Sequence, residues 1–142
     1  MLDRAFMDKM AMKVRKRYVE HIFLKGKDVN DNKFEVYSTE YGIRKRANKF
    51  KRQSSAFKNT TSPVLTGDFM NDCKPYSTNN SFGVIWAAYG SRVKHLADRG
   101  REVTTKEQPF PEAIFKMIGI DINKEVKRKL PKSKTIRIKI GK

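Results

Sequence analysis

The chain has one cysteine, two histidines and few carboxylates, 15 Asp/Glu against 32 Lys/Arg, and each scarcity excludes something. A lone Cys73 cannot form an intrachain disulfide, which rules out a small secreted fold held by crosslinks and points to a reducing setting. His21 and His95 stand in different segments, and no Cys/His cluster has zinc-site spacing. The carboxylates are scattered rather than grouped as metal-assisted hydrolysis requires. Neither a GxGxxG nor a GxxxxGK[ST] fingerprint occurs. No apolar run approaches the ~20 residues that span a bilayer, and MLDRAFMDKM lacks the continuous apolar segment of a signal peptide. No internal repeat is visible. The expectation is a soluble, non-enzymatic chain with no catalytic residue, no cofactor, no metal and no membrane partner.

What is present in excess is positive charge, a formal +17. It is unevenly placed. Residues 1–58 hold 16 Lys/Arg against 7 Asp/Glu, residues 59–123 hold 7 against 7, and residues 124–142 hold 9 against 1. Charge gathered at two ends, with a neutral middle, calls for a polyanion or an acidic protein surface as neighbour. The apolar share, 38%, is low for a chain of 142 residues, long enough for one domain but not two. A single domain, 1–142, is expected, with an N-terminal helix over 1–24 and a basic C-terminal arm over 124–142.

Periodicity fills in the elements. Leu2, Phe6, Met10, Val14, Tyr18 and Ile22 recur at i+4 and predict a helix over 2–24, with Arg15, Lys16 and Arg17 on its far side and Gly26 as its stop. In DVNDNKFEVYSTEY, residues 28–41, the Asp and Asn side chains can bond their own backbone, so the first part reads as a turn. Phe34, Val36 and Tyr37 then suit a strand, and Ile43, Ala47 and Phe50 carry helical spacing through the basic run RKRANKFKR, residues 44–52. The turn is not an EF-hand loop, because Lys33 stands where glycine is needed and Thr39 where glutamate is.

Residues 53–63 read as a loop, and Phe69, Met70 and Cys73 share one face of a short helical segment capped by Thr66 or Asp68. KPYSTNNS, residues 74–81, reads as a turn-rich link. FGVIWAAYG, residues 82–90, predicts a buried strand with Trp86 in the core. A short helix is expected over 91–99. In it Asp98 follows His95 by three, a spacing usually found in a solvated pair. Two prolines make 101–111 an ordered loop, and Pro111 opens a helix lined by Ile114, Phe115, Ile118, Ile122, Val126 and Leu130, broken or kinked near Gly119. KTIRIKIG, residues 134–141, alternates Ile with Arg or Lys as a strand does. The whole is α+β: a long N-terminal helix, a small, mostly antiparallel sheet, a C-terminal helix and a basic C-terminal strand.

In order along the chain, these pieces resemble a family. GKDVNDNKFEVYSTEYGIRKR is similar to the D-x-x-G-K-x-F-x-x-Y-S-x-x-Y-x-x-K pattern of tailed-phage virion morphogenesis proteins, the tail-completion and neck proteins of the head-tail connector. SPVLTGDFMND is similar to their Leu-Thr-Gly signature, VKHLADRGR to their Tyr-Ala-x-x-His-x-x-Gly segment, and QPFPEAIFKMIG sits where they have an Ile-Pro-x-Arg-Pro-Phe-Leu loop. Asn32 replaces a frequent glycine, His95 precedes Gly100 by five, and the arginine of the proline loop is absent. The pieces cover about residues 22–118.

The resemblance implies a structural virion protein in a ring, six- or twelve-fold, that joins portal or adaptor to tail and lets genomic DNA pass. Its setting would be the virion, and the host cytoplasm during assembly. It places Phe34, Tyr37, Tyr41, Arg44, Lys45, Arg46, Lys49, Lys51 and Arg52 at a subunit or partner interface. Lys127, Arg128, Lys129, Arg137 and Lys139 would meet DNA or an acidic partner. A conduit lined throughout by cations would hold its DNA by many phosphate contacts, so most of this charge is expected to face acidic protein and only a minority DNA. The rival reading is a basic nucleic-acid-binding module of a large ribonucleoprotein assembly, with Phe34, Tyr37 and Tyr41 as stacking rings.

Overall fold

The computed structural model describes residues 2–35, 39–49, 68–88, 90–98 and 101–130, apart from the side chains of Thr39 and His95. The elements form an α+β arrangement built around the first helix.

Helix α1 spans Arg4–Val19. Asp3 caps it, accepting from the Phe6 amide at 2.9 Å and so satisfying one of the donors that a helix start leaves without a partner. Met7, Met10, Ala11, Val14, Tyr18 and Val19 are buried along one face, as the i+4 spacing requires. The helix then widens into a π-helical turn, Glu20–Leu24, which adds Ile22 and Phe23 to the buried set. Gly26, at φ 66°, ends it; this left-handed conformation carries little steric cost without a Cβ.

The polar turn behind it is built by Asp28. Its Oδ1 accepts from the amides of Asn30 and Asn32, both at 2.9 Å, and Asp31 takes φ 69°. Lys27 and Lys33 bridge across the turn, and the Phe34 amide returns to the Gly26 carbonyl at 2.9 Å. Phe34 and Glu35 then run on without regular structure; the remainder of the predicted strand, Val36 and Tyr37, lies outside the described residues. Helix α2, Thr39–Arg46, stops short of the helical spacing that Ile43, Ala47 and Phe50 carried through the basic run. Asn48 turns left-handed at φ 57°, and the Asn48 and Lys49 amides close back on Lys45 and Arg44. The basic run is therefore cut after its first three cations.

Helix α3, Asp68–Asp72, leads directly into strand β1, Cys73–Ser77, where a turn-rich link was expected. β1 pairs antiparallel with β2, Phe82–Trp86, Cys73 opposite Trp86 and Ser77 opposite Phe82. Thr78 closes the hairpin, its amide donating to the Ser81 carbonyl and its hydroxyl accepting from the Ser81 amide. Among the described residues β1 has a neighbour strand on one side only, and Pro75 is tolerated at such an edge, where no amide is needed. Both strands lie against α1. β2 is not the buried strand the sequence implied: Ile85 is 49% exposed and Trp86 only partly covered.

Helix α4 spans Ser91–Ala97. The loop 101–111 is ordered, with Val103 and Pro111 buried, and α5 follows as one helix, Glu112–Lys129. It passes through Gly119 without the expected break, since an exposed glycine adds an entropic cost of ~1 kcal/mol but no clash. The expected basic strand 134–141 lies outside the described residues.

The core is aromatic where the elements meet. Phe69 stacks on Trp86 at 4.6 Å between ring centroids, and Phe23 meets both rings edge-on at 5.4 and 6.0 Å. Tyr18 packs edge-on against Phe110 at 5.5 Å, while its hydroxyl donates to the Val103 carbonyl at 2.6 Å. Such ring pairs add ~0.5–1.5 kcal/mol beyond area burial. Asp72 fastens the end of β2 by accepting the Ala88 amide at 2.9 and 3.0 Å.

Candidate functional site

The segment from Phe34 to Lys49, first choice for an interface, turns part of itself inward. Phe34 is buried among the core residues, and Arg101 lies over its ring, 5.5 Å from guanidinium carbon to centroid. Arg101 also donates through Nη2 to the Glu35 carbonyl at 2.6 Å, and the Val29 amide donates to the Glu102 carbonyl at 3.1 Å. The loop after α4 is thus bound to the turn behind α1. Lys45, on α2, is 1% exposed. Burial first, and then the positive field of Arg101, pull its ammonium down to about 8. Tyr41 is half-buried, and the loss of solvent pushes its phenol up, with Arg101 acting in the opposite sense.

Of the predicted interface residues, Arg44, Arg46 and Lys49 are exposed and Tyr41 partly so. The side chains of Phe34 and Lys45 belong to the chain's own interior, out of reach of a neighbour. Tyr37, Lys51 and Arg52 lie outside the described residues. A run such as RKR reads as solvated because nothing local reveals Arg101 arriving from more than 50 residues away.

The second predicted group sits at the end of α5, and two of its members are engaged within the chain. Arg128 grips Glu125 at 2.7 and 3.1 Å, an ion pair that raises the guanidinium and lowers the carboxyl. Lys129 reaches Asp3 at 2.9 Å and Glu125 at 3.8 Å. The Lys129 ammonium is the main reason that the Asp3 carboxyl falls below its ordinary range, the Phe6 amide the second. Lys127 is exposed. Arg137 and Lys139 lie outside the described residues.

These ties show how α5 is held. It runs back along α1, Asp121 pairing with Lys13 and Lys129 with Asp3, and a groove of about 490 Å³ lies between the helices, with Phe6 and Met10 among its lining residues. Yet only Ile114 of its 18 residues is buried. Phe115, Gly119, Ile122, Val126 and Leu130 follow one another at helical spacing as an apolar strip. Phe115 is 42% and Leu130 39% exposed, Ile122 and Val126 are half-buried, and a Cβ placed on Gly119 would meet nothing within 4 Å.

Among the described residues, no group of three or more His, Cys, Asp or Glu could hold a metal ion. The Asp28 carboxylate is occupied by its own turn, and His21 Nε2 lies 2.8 Å from the Asp28 carbonyl. The imidazole of His95 is outside the described residues. Burial pushes the Cys73 thiol up to about 12, and the group is enclosed rather than reactive. Among the described residues, no helix is long and apolar enough to cross a membrane.

A stronger basic feature was missed in the sequence. Lys9, Lys13, Arg15 and Lys16 of α1 and Lys74 of β1 surround a groove whose remaining lining is Met12 and Pro75. The helical spacing of Lys9, Lys13 and Lys16 was visible in the sequence, but β1 was not, so the second wall could not be foreseen.

The sequence matches no protein-family model, and no curated protein or solved structure is detectably similar to the chain.

Proposed function

We propose that this chain is a structural subunit of a tailed-phage head-tail connector, one member of a homo-oligomeric ring between portal or adaptor and tail. One observation carries the reading: α5 leaves Phe115, Ile120 and Leu130 exposed and Ile122 and Val126 only half-buried. Of its 18 residues only Ile114 is fully buried, with Met117 and Ile118 partly covered by the core, so part of its apolar surface is left without cover. A neighbouring subunit that covers Phe115, Ile122, Val126 and Leu130 supplies the missing burial at ~25 cal/mol per Å², and the bare backbone at Gly119 lets a partner helix approach closely. The order of the signature-like segments over residues 22–118 agrees with this reading, as does a low apolar share in a chain that completes its core through neighbours. The ribonucleoprotein alternative is weakened, since Phe34 lies in the core and cannot serve as a stacking ring.

The test uses positions that the isolated fold does not need. Gly119→Gln keeps or slightly raises thermal stability, because it removes a helix-interior glycine, but it puts a side chain where the neighbour must pack. Particles assembled with this variant should lack attached tails, and the purified variant should remain monomeric where the parent forms rings by light scattering. Normal tailed particles carrying Gly119→Gln would sink the assignment.

A further inference from the structure

The groove between α1 and β1 has a composition of its own. Its cations come from three successive turns of α1, Lys9, Lys13 and Lys16, and from Arg15 and Lys74. Among the described residues, no carboxylate lines it. Arg15 fixes the far wall by donating through Nε to the Cys73 carbonyl at 2.9 Å, and so ties the helix to the strand. Lys13 is partly neutralised by Asp121, whereas Lys9, Lys16 and Lys74 are exposed and meet no carboxylate among the described residues. Between them lies an apolar floor: Met12, 66% exposed, and Pro75. The groove is shallow and open, about 690 Å³, room for a few side chains.

We infer that this groove docks an acidic segment of another protein, one that carries an apolar side chain among its carboxylates. Charge complementarity selects the class. A second copy, whose 15 Asp/Glu are scattered among 32 Lys/Arg, offers no acidic run to set against five cations at this place. A nucleic-acid strand satisfies the lysines but leaves Met12 and Pro75 without cover, and among the described residues the groove lining has no aromatic ring of the kind on which unpaired bases stack. An acidic peptide satisfies both components: its carboxylates reach Lys9, Lys16 and Lys74 at the rim, and its apolar residue covers the Met12 thioether, a side chain that adapts its shape readily. The inference uses α1 and β1 alone and does not rest on the ring assignment.

Fluorescence anisotropy with the full chain tests it, using a labelled peptide of Glu-Glu-Leu repeats, the same peptide with Ser for Leu, and a DNA duplex of similar charge. The Glu/Leu peptide should bind more tightly than the Glu/Ser peptide and the duplex. Lys9→Glu, Lys16→Glu and Lys74→Glu together should weaken it about tenfold or more. Reversal of three other exposed cations, Arg46, Lys49 and Lys127, should weaken it far less. Met12→Ser should remove the preference for Leu over Ser. Equal losses in the two triple variants, an unchanged preference in Met12→Ser, or tighter binding of the duplex would each overturn the inference. The Gly119→Gln chain, whose α5 strip lies away from this groove, serves as the control that separates this outcome from that of the ring.

Discussion

Helices α1 and α5 are similar in length, 16 and 18 residues, and both carry an apolar stripe, yet α1 buries six side chains and α5 one. The difference lies in what faces them. α1 is covered by β1, β2 and the loop that supplies Val103 and Phe110, while α5 meets α1 along a seam held partly by ion pairs. An apolar stripe tells which side of a helix wants cover; it does not tell whether the same chain provides it. For α1 the cover is internal and nearly complete, while α5 is covered in part, at Ile114, Met117 and Ile118.

The largest effect should come from trading equal truncations between the two helices. Phe23→Ala, in the π-helical turn behind α1, removes a ring buried against Phe69 and Trp86 and should cost ~3–5 kcal/mol in denaturant unfolding. Phe115→Ala on α5, where the ring is 42% exposed and meets Phe110 edge-on, should cost only ~1–2 kcal/mol in the isolated chain. Similar losses at the two positions would erase the contrast.

A middle-sized effect belongs to Lys45, which gauges how firmly the chain closes around the α1-based core. Its pKa is depressed to about 8 in the folded chain, from an ordinary 10.5. Between these values the unfolded chain holds the extra proton, so stability rises as the pH climbs through that window, by roughly 2–4 kcal/mol from this group. Lys45→Met should flatten that part of the profile. An identical slope in parent and variant would show that the ammonium is solvated after all.

The smallest effect concerns the seam itself. The Asp3 carboxyl is depressed below its ordinary 3.8 by Lys129 and the Phe6 amide. Its contribution is therefore complete above that ordinary value and is lost as the pH falls through the lower, folded one. Lys129→Gln should bring the acid transition of Asp3, followed by NMR, back toward its ordinary position while leaving the core signals of Tyr18 and Trp86 in place. If those core signals move as well, the seam contributes more to the fold than its exposed ion pairs imply.

The parts of the fold legible in the sequence were those with local causes. The i+4 repeat of α1, the self-bonding Asp28 turn, the stop at Gly26 and the start of α5 after Pro111 each follow from chemistry within a few residues. β1 was hidden because Pro75 and the Ser-Thr-Asn-Asn stretch carry turn propensities, and its strand form depends on pairing with β2 and on the cover of α1. The candidate site was less legible still. Nothing near Phe34 or Lys45 announces Arg101, and the cationic groove needs both α1 and the unforeseen strand.

The π-helical turn at Glu20–Leu24 sets a phase for everything that follows it. Such a turn holds one residue more than an α-helix of the same rise. Loss of a single residue there would restore ordinary winding over nearly the same rise and leave the faces on either side almost in phase, whereas loss of a residue from the α-helical part, Arg4–Val19, would rotate one side against the other by about 100°. Only the second change would swing the buried stripe of α1 out of line with the chain beyond Gly26. The five positions of the π-helical turn are therefore where this helix should best absorb a one-codon deletion.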